Sequence, residues 1–280
     1  MAKDSKIEWT HHTFNPWWGC TKVSPACKNC YAEAWAKRVG LDVWGPRSAR
    51  RFFSDAHWRE PLKWNREAER DGKPRRVFCA SMADVFEARA ELDEWRGRLW
   101  QLIPQTPMLN WLLLTKRPER IARSVPWHDS WPHNVWLGTT AENQRWADKR
   151  IPQLLRHAQA AVLFVSSEPL LGFLDMRSYL PAPGRRGIDW VIAGGESGGR
   201  ARPMNPEWAR DLRDQCTAAG ARFHFKQWGH WSPEQLGVDR EYRRIEVLDR
   251  DGRPVILARL GKKASGRVLD GRTWDQVPSV

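Results

Sequence analysis

Short apolar runs recur along the chain from residue 77 onwards, and each run ends in polar residues. Their starts lie about 25–34 residues apart, which is the length of one strand–helix unit. The runs are continuously hydrophobic rather than alternating, as is typical of parallel strands that are buried on both faces. The pattern predicts strands at residues 77–81, 109–115, 135–140, 161–167, 188–193 and 222–226.

Segments between these runs carry the spacing of amphipathic helices, for example residues 91–103 and 207–219, and Gly220 supplies a helix stop. A first strand is expected at residues 7–9. The repeated strand–helix order predicts an α/β fold, namely a (βα) partial barrel of the TIM type. An open doubly wound α/β sheet is the alternative.

Polar residues follow every predicted strand. In both architectures ligands gather at the carboxyl ends of the strands. We therefore expect an active site at this end of the sheet. The candidate residues there are Ser81, Asp84, Lys116, Arg117, Glu142, Glu168, Gly194, Gly195, Glu196, Ser197 and Lys226.

The last part of the chain has a different pattern. Two β-rich stretches, 242–248 and 254–260, flank the sequence Asp249-Arg250-Asp251-Gly252, which is typical of a hairpin turn. A basic run at 262–267 follows. We predict two domains: a barrel domain at 1–232 and a small basic β-hairpin appendage at 233–280.

The net charge of +13 is concentrated in two segments. Residues 36–76 hold 12 basic and 6 acidic residues, interleaved with several of the chain's 19 tryptophans, and residues 240–272 hold 10 basic and 5 acidic residues. Basic side chains neutralise phosphates and aromatic rings stack on unpaired bases, so both segments are candidates for contact with nucleic acid. The alternative for 36–76 is a solvated helical face with its tryptophans turned inward.

No apolar run approaches the length of a membrane helix, and the N-terminus leads into no apolar signal core. We expect a cytoplasmic protein that does not span a membrane. The odd number of cysteines, five, then favours metal or reactive chemistry over disulfides.

Three of the five cysteines lie within one short loop. Cys20, Cys27 and Cys30 have the spacing C-x6-C-x2-C, with Gly19 and Pro25 around them. Three thiolates can hold three irons of a [4Fe-4S] cluster, or supply three of the four ligands of zinc. Iron–sulfur is favoured because no fourth Cys or His lies inside the loop. For zinc the fourth ligand would be His11, His12 or His57. Cys79 and Cys216 are expected to be small buried residues.

The loop and several later motifs resemble a known protein family. Gly19-Cys20 and Cys27-Lys28-Asn29-Cys30-Tyr31-Ala32 are similar to the three-cysteine motif of a phage-associated family, widespread in prophages and bacteria and known mostly as a domain of unknown function. Further matching segments are LTKRP at 114–118, NVWLG at 134–138, SEPLLG at 167–172, DWVIAGGESG at 189–198, FKQWG at 225–229 and GRVLDGRTW at 266–274.

That family in turn resembles radical S-adenosylmethionine enzymes. The resemblance implies a partial TIM barrel, a [4Fe-4S] cluster held after the first strand, S-adenosylmethionine across the strand ends, and an external electron donor. The cysteine motif departs from the commoner pattern in two ways: its first gap is longer, and Asn29 precedes the last cysteine where an aromatic residue is usual. Ser81-Met82-Ala83-Asp84 also replaces the Gly-Gly-Glu expected after the second strand, and Gly194-Gly195-Glu196 comes much later.

The resemblance assigns roles to the candidate residues. Cys20, Cys27 and Cys30 would ligate three irons, and Asp84 or Glu168 would hold the ammonium of the cofactor. Lys116 and Arg117 suit a carboxylate or phosphate, Gly194 and Gly195 would let the backbone approach closely, and Glu196 would bind ribose hydroxyls. Lys226 would donate a proton or anchor substrate. The further cofactor candidates are Ser81, Glu142 and Ser197. Ion pairs among these residues and a tight turn at Gly194-Gly195 are the structural alternatives.

These inferences favour an enzyme of the radical S-adenosylmethionine type that acts on nucleic acid or a nucleotide, in modification or repair. The alternative is a non-enzymatic, zinc-stabilised nucleic-acid-binding phage protein. A metal-dependent hydrolase is a weaker third candidate, because the sequence has no His-rich ligand set.

Overall fold

The computed structural model describes residues 3–128, 130–233 and 242–279. The strands in these ranges are β1 (His12–Thr13), β2 (Trp17–Trp18), β3 (Arg51–Phe52), β4 (Arg75–Cys79), β5 (Leu109–Thr115), β6 (Val135–Thr140), β7 (Val162–Ser167), β8 (Trp190–Gly194), β9 (Arg222–Gln227), β10 (Ser232–Pro233), β11 (Arg244–Leu248) and β12 (Pro254–Ala258).

The α-helices are α1 (Tyr31–Arg38), α2 (Asp55–Asp71), α3 (Asp93–Leu102), α4 (Gln144–Leu155), α5 (Pro206–Ala219) and α6 (Lys262–Ser265), and short 3-10 helices cover Pro25–Cys27, Ala90–Leu92 and Pro118–Arg123. Among the described residues, none of these helices is both long enough and apolar enough to cross a membrane.

The main sheet has the strand order β1-β4-β5-β6-β7-β8-β9. Neighbouring strands are parallel, for example β4 with β5, β5 with β6, and β8 with β9. The order follows the chain without a reversal, whereas a doubly wound sheet reverses at its switch point. The predicted (βα) partial barrel is therefore confirmed, and the chain does not adopt the doubly wound alternative.

The positions of the main strands follow from their apolar runs. β5 and β6 have the predicted bounds, and the predicted bounds of β4, β7, β8 and β9 differ by no more than about two residues from the observed ones. All residues of β6 and β7 are buried, which explains why their sequences do not alternate. Packing between them is tight: a Cβ at Gly138 would lie 2.4 Å from the ring of Phe164.

The predicted first strand at 7–9 is wrong. Residues 8–9 form a turn, and the first strand is β1, which pairs with β4 through His12 opposite Val77. The buried Thr10 prepares this pairing, because its hydroxyl accepts a hydrogen bond from the backbone N–H of Phe78. The strand thus lies in a polar stretch. The apolar residues Ile7 and Trp9, just before it, led to the wrong prediction.

The described chain divides into two compact units, residues 3–139 with 150–164 and residues 140–149 with 165–279. The core of the first unit is rich in aromatic rings. Phe14 packs edge-on against Trp58 and Trp111, with ring centroids 5.2 and 5.6 Å apart, and Trp64 stacks on His12 at 4.6 Å. Most tryptophans of this unit therefore serve packing.

Helix α2 shows which interpretation of the basic segment 36–76 applies to its tryptophans. Trp58 and Trp64 are only 3% and 1% exposed and face the core. The exposed residues of α2 carry both signs, Arg59, Lys63, Arg66 and Arg70 beside Asp55, Glu69 and Asp71, and Lys63 pairs with Glu60 at 2.5 Å. The helix thus offers cations to solvent but keeps its aromatic rings away from any partner.

In the second unit, helix α5 packs on the end of the sheet. The side chain of Asn205 caps its first turn by accepting from the backbone N–H of Glu207, at 3.0 Å. Gly220 ends the helix with a left-handed φ of 71°, as the sequence predicts. Buried residues on one side of α5, Ala209, Leu212 and Cys216, face β8 and β9.

The C-terminal hairpin is present. β11 and β12 pair antiparallel, and β10 joins the other edge of β12. The residues after the hairpin pack on β9 instead: the carbonyl of Trp274 accepts from Phe225 N–H at 2.9 Å, and the indole of Trp228 donates to the carbonyl of Val268 at 2.8 Å. The domain boundary at 232/233 stays a prediction. Residues 234–241, which begin the predicted appendage and the basic segment 240–272, lie outside the described residues.

Candidate functional site

The cysteine loop, residues 19–30, is attached to the chain just beyond β4. At its start, the backbone N–H of Gly19 donates to the carbonyl of Met82 at 3.0 Å. Just after its end, the hydroxyl of Tyr31 donates to the carbonyl of Ser81 at 2.7 Å. Gly19 has a φ of +114°, and a Cβ there would lie 2.3 Å from the carbonyl oxygen of Val43. Glycine is therefore required where the loop begins.

Asn15 fixes the other side of the same attachment. Its side-chain oxygen accepts from the backbone N–H of Met82 at 2.6 Å, and its amide donates to the hydroxyl of Ser81 at 3.0 Å. Ser81, a predicted cofactor contact, is thus engaged in holding the cysteine loop to β4.

All three loop cysteines are free thiols, and each residue is half-buried. Burial raises the pKa of Cys20 to about 12, and burial also raises the pKa of Cys30. The positive charge of the half-buried Lys116 acts in the opposite direction on Cys30 and favours its thiolate. Because thiolates are the metal ligands, loading this loop would release protons.

Arg117 connects the cysteine loop to the end of β5. Its guanidinium donates to Cys20 Sγ at 3.7 Å and to the carbonyl of Thr21 at 2.7 Å. The same guanidinium forms an ion pair with Asp84 at 2.8 Å, and its side chain is only 9% exposed. A cation that faces a thiol in this way stabilises negative charge on sulfur.

Asp84 is a fully engaged buried carboxylate. Besides Arg117, it accepts from the hydroxyl of Thr115 at 2.7 Å and from the backbone N–H groups of Phe86 and Lys116 at 3.0 and 3.1 Å. Burial alone would raise its pKa, but the charge of Arg117 and these hydrogen bonds outweigh it and hold the pKa below the ordinary value. Asp84 therefore positions Arg117, and its oxygens already have their partners.

A second buried ion pair supports the same loop. Arg50, whose side chain is fully buried, binds both oxygens of Glu87 at 2.8 and 3.1 Å. It also donates to the hydroxyl of Thr21 at 3.0 Å and to the carbonyl of Val43 at 3.0 Å. Glu87 lies 3.9 Å from Arg117 and so joins the two pairs. We call Arg50, Asp84, Glu87 and Arg117 the cysteine-loop anchor.

The cysteines fit an iron–sulfur cluster in their chemistry but are not gathered around a metal position. Within the described ranges, no group of three or more His, Cys, Asp or Glu side chains is arranged to hold a metal ion. Three soft thiol donors with basic neighbours are nevertheless the donor set that an iron–sulfur cluster takes.

The histidines considered as a fourth zinc ligand have other partners. His11 Nδ1 accepts from the backbone N–H of Arg76 at 2.8 Å, and His12 Nδ1 accepts from that of Asp4 at 3.2 Å. His57 Nε2 lies 2.8 Å from the carbonyl of Asn15. Each of the three thus has one ring nitrogen in a hydrogen bond.

The second unit holds another polar group, which we call the Glu168 rim and define as Glu168, Ser197, Lys226 and Gln227. Lys226 Nζ lies 2.7 and 2.8 Å from the two carboxylate oxygens of Glu168. Gln227 Nε2 lies 3.2 Å from Glu168 and 2.9 Å from the hydroxyl of Ser197. The charged pair is partly exposed, with 18% of the Glu168 side chain and 12% of the Lys226 side chain accessible.

The two glycines after β8 differ in what surrounds them. A Cβ on Gly195 would lie 1.9 Å from the carbonyl oxygen of Trp228, whereas a Cβ on Gly194 would be in ordinary contact, 3.4 Å from Gln227 O. Gly229 has a φ of +82°, and a Cβ there would lie 2.2 Å from the carbonyl oxygen of Glu196. Gly195 is therefore required because two backbone segments cross here with no room for a side chain. This agrees with the structural alternative for the motif, a tight turn at Gly194-Gly195.

Two further predicted contacts are also engaged within the second unit. Glu196 is held by Arg202, whose guanidinium lies 2.5 and 2.9 Å from its two oxygens, and by the Arg202 backbone N–H at 2.8 Å. Glu142 is completely buried just after β6, and its carbonyl accepts from Leu171 N–H at 2.7 Å.

A protein-family model matches residues 4–278, and that family is described as "Protein of unknown function (DUF5131)". The chain belongs to this family. No curated protein matches it.

Solved structures similar to this DUF5131 protein include several of spore photoproduct lyase. A cysteine-to-serine mutant of that enzyme matches with a TM-score of 0.47 and 14% identity, over 91% of this chain and 70% of that chain. A double mutant with bound AdoMet and dinucleoside spore photoproduct matches with a TM-score of 0.46 and 12% identity, over 89% of this chain and 69% of that chain.

Several residues of these groups were not predicted, among them Asn15, Arg50, Glu87 and Gln227. Arg50 and Glu87 lie 37 residues apart, and each looks like an ordinary surface charge in the sequence. Asn15 lies in the segment leading to Cys20, and its place before Pro16 is the one local signal of a constrained loop.

Proposed function

We propose that the chain is an iron–sulfur protein of the radical S-adenosylmethionine type that modifies or repairs nucleic acid or a nucleotide. Its phage association and its need for an external electron donor are parts of the same proposal and rest on the sequence resemblance.

The contact between Arg117 and Cys20 supports this proposal most strongly. Besides anchoring the loop through Asp84 and the carbonyl of Thr21, this buried guanidinium donates to Cys20 Sγ, and that contact gains strength when the sulfur is negative. Cys20, Cys27 and Cys30 would be the ligands of a [4Fe-4S] cluster, and no fourth Cys or His is needed to complete the set. When bound, the cluster and S-adenosylmethionine would supply one-electron chemistry that the amino acids themselves lack.

The other residues would bind and orient the cofactor. Glu168 is a better partner for an ammonium group than Asp84, because Glu168 is accessible and bound only by side chains, whereas the oxygens of Asp84 are all occupied. The ammonium of the cofactor would replace Lys226 at Glu168, and Lys226 would then be free to hold or donate a proton. Lys116 would bind a carboxylate, with Ser197 as a neutral contact.

Nucleic acid would be contacted through the basic segments 36–76 and 240–272. On α2 the exposed cations Arg59, Lys63 and Arg66 face solvent, and Arg51 lies over the ring of Trp18 at 4.9 Å. In the tail, Lys262 and Lys263 lie on α6, which is exposed at these positions. These contacts would be to phosphates and would weaken with salt.

S-adenosylmethionine turnover tests the proposal. Anaerobically reconstituted protein, reduced with dithionite, should cleave S-adenosylmethionine to methionine and 5′-deoxyadenosine. Cys30→Ala should abolish the reaction, whereas Cys216→Ala, a buried cysteine on α5, should leave it unchanged. A protein that carries one zinc, binds nucleic acid and ignores S-adenosylmethionine would contradict the proposal and support the zinc-stabilised alternative.

A further inference from the structure

Helix α1, directly after Cys30, has its aromatic residues on the outside. Its buried residues are Ala32 and Ala36, which pack in a small core with Val43 and Met82. Its large residues are exposed: Tyr31 by 57% and Trp35 by 46%. In an ordinary amphipathic helix the large apolar side chains face the core and the small ones need not.

The exposed residues form one continuous stripe. Tyr31, Trp35 and Val39 follow each other at intervals of four residues, so they lie on the same side of the helix. Val39, at the end of the helix, is 45% exposed. We call these three residues the α1 aromatic face. A contiguous exposed aromatic surface of this kind is typical of a binding site.

The ring of Tyr31 is held in place on this face. Its hydroxyl donates to the carbonyl of Ser81, while more than half of the residue stays exposed. A fixed ring loses little conformational entropy when a partner stacks on it. The hydrogen bond therefore prepares a flat surface rather than burying the residue.

The charges around the α1 aromatic face indicate the kind of partner. Residues 20–39 contain four basic residues and one acidic residue, Glu33. Glu33 pairs with Lys22 and Lys37, at 2.5 and 2.8 Å. Lys28 and Arg38 are exposed and have no ion pair within the described ranges. Arg38 lies three residues after Trp35 on α1, and Lys28 lies three residues before Tyr31. Exposed cations flanking exposed rings suit a polyanion with aromatic groups.

We propose that the α1 aromatic face binds single-stranded nucleic acid, with unpaired bases stacked on Trp35 and Tyr31 and phosphates paired with Lys28 and Arg38. This surface supplies the exposed rings that α2 lacks, and it begins at the residue after Cys30. The inference rests on the proposed function in one respect, that the substrate is nucleic acid.

Fluorescence anisotropy with a fluorescein-labelled oligothymidylate of about 12 nucleotides tests the proposal. Trp35→Ala should raise Kd roughly 5- to 150-fold, the range for one stacked base. Trp35→Phe should keep most of the affinity, because a ring remains. Phe173→Ala is the matched control, since Phe173 is 48% exposed in the second unit and should leave Kd unchanged. Alanine suits an exposed helix position, so the variant should fold.

Two further measurements separate stacking from charge. A duplex of the same length should bind with an affinity that Trp35→Ala does not change, because paired bases offer no free ring face. Lys28→Ala together with Arg38→Ala should lower the slope of log Kd against log salt by about 1–2, which is what the loss of two phosphate contacts predicts.

Measuring iron in the same preparations separates a failure of the α1 proposal from a failure of the proposed iron–sulfur function. An oligothymidylate affinity that Trp35→Ala leaves unchanged overturns the α1 proposal, even if the protein carries its cluster and the face serves a protein partner instead. A loss of affinity in Trp35→Ala, with Phe173→Ala unaffected, supports it, even if the preparations hold zinc and the radical chemistry fails.

Discussion

The cysteine-loop anchor and the Glu168 rim both pair carboxylates with cations, yet they are built differently. In the anchor, Asp84 is bound by two backbone N–H groups, a hydroxyl and Arg117, and Arg50 is fully buried. At the rim, Glu168 is bound only by side chains of β9 that can rotate away. Buried, backbone-bound charge thus fixes a loop, whereas a partly exposed pair remains available to a ligand.

Gly195→Ala should have the largest effect on stability. The backbone crossing at Gly195, next to the Glu168 rim, leaves no space for a side chain. The added Cβ would lie 1.9 Å from a carbonyl oxygen, so backbone must move, and we expect a loss of about 3 kcal/mol or more in the free energy of unfolding. Chemical denaturation measures it. Gly194→Ala is the control and should change stability by no more than about 1 kcal/mol. Equal effects at the two glycines would show that the crossing does not set the rim.

Asp84→Asn should be the next most damaging change. It removes the charge that compensates the buried Arg117, and breaking such a pair costs about 3 kcal/mol or more. Urea unfolding at neutral pH would show this loss, and cluster content after reconstitution should fall because Arg117 no longer holds the cysteine loop. A stable variant with full cluster content would show that the cysteine loop does not depend on the pairing of Asp84 with Arg117.

Glu168→Gln should cost less stability than Asp84→Asn, no more than about 2 kcal/mol, because its partners can turn to solvent. Its main effect should be functional, through weaker binding of S-adenosylmethionine, measured by equilibrium dialysis against reconstituted protein. Ser197→Ala, on the same rim, should weaken binding far less. If Glu168→Gln bound the cofactor normally but unfolded as readily as Asp84→Asn, Glu168 would be a structural residue and not a cofactor contact.

Acid should loosen the first unit gently through His11. Burial, with the charges of Arg76 and Arg75, lowers the pKa of His11 to about 4 in the folded chain. The unfolded chain, whose His pKa is about 6.5, therefore takes up this proton at a higher pH than the folded chain. The contribution of His11 is therefore complete above pH of about 6.5 and decreases as the pH falls towards 4. His11→Asn should flatten this part of a stability–pH curve, and an unchanged curve would exclude His11 as the cause.

The sequence predicts the main strands well and the first strand badly, for one physical reason. Continuous apolar runs such as 109–115 and 135–140 have no alternative to burial. β1 is short and polar at His12 and Thr13, and it is stabilised by partners from β4 that no local pattern reveals.

The candidate site was predictable in its residue types and less so in its pairings. Polar residues after the predicted strands drew attention to Asp84 and Arg117, which pair in the first unit, and to Glu168 and Lys226, which pair in the second. Which carboxylate is occupied depends on contacts between distant residues: Asp84 meets Arg117 33 residues later, and Arg50 meets Glu87 37 residues later. Such pairs leave no periodic signal in a single sequence.

The most direct test of the central claim is the iron and acid-labile sulfide content of anaerobically reconstituted protein, with its electron paramagnetic resonance after reduction. The account predicts about four irons and four sulfides per chain and a reduced-cluster signal. Cys30→Ala should lose both, and Cys216→Ala should keep both. Colourless protein with one zinc per chain, in wild type and Cys216→Ala alike, would contradict it.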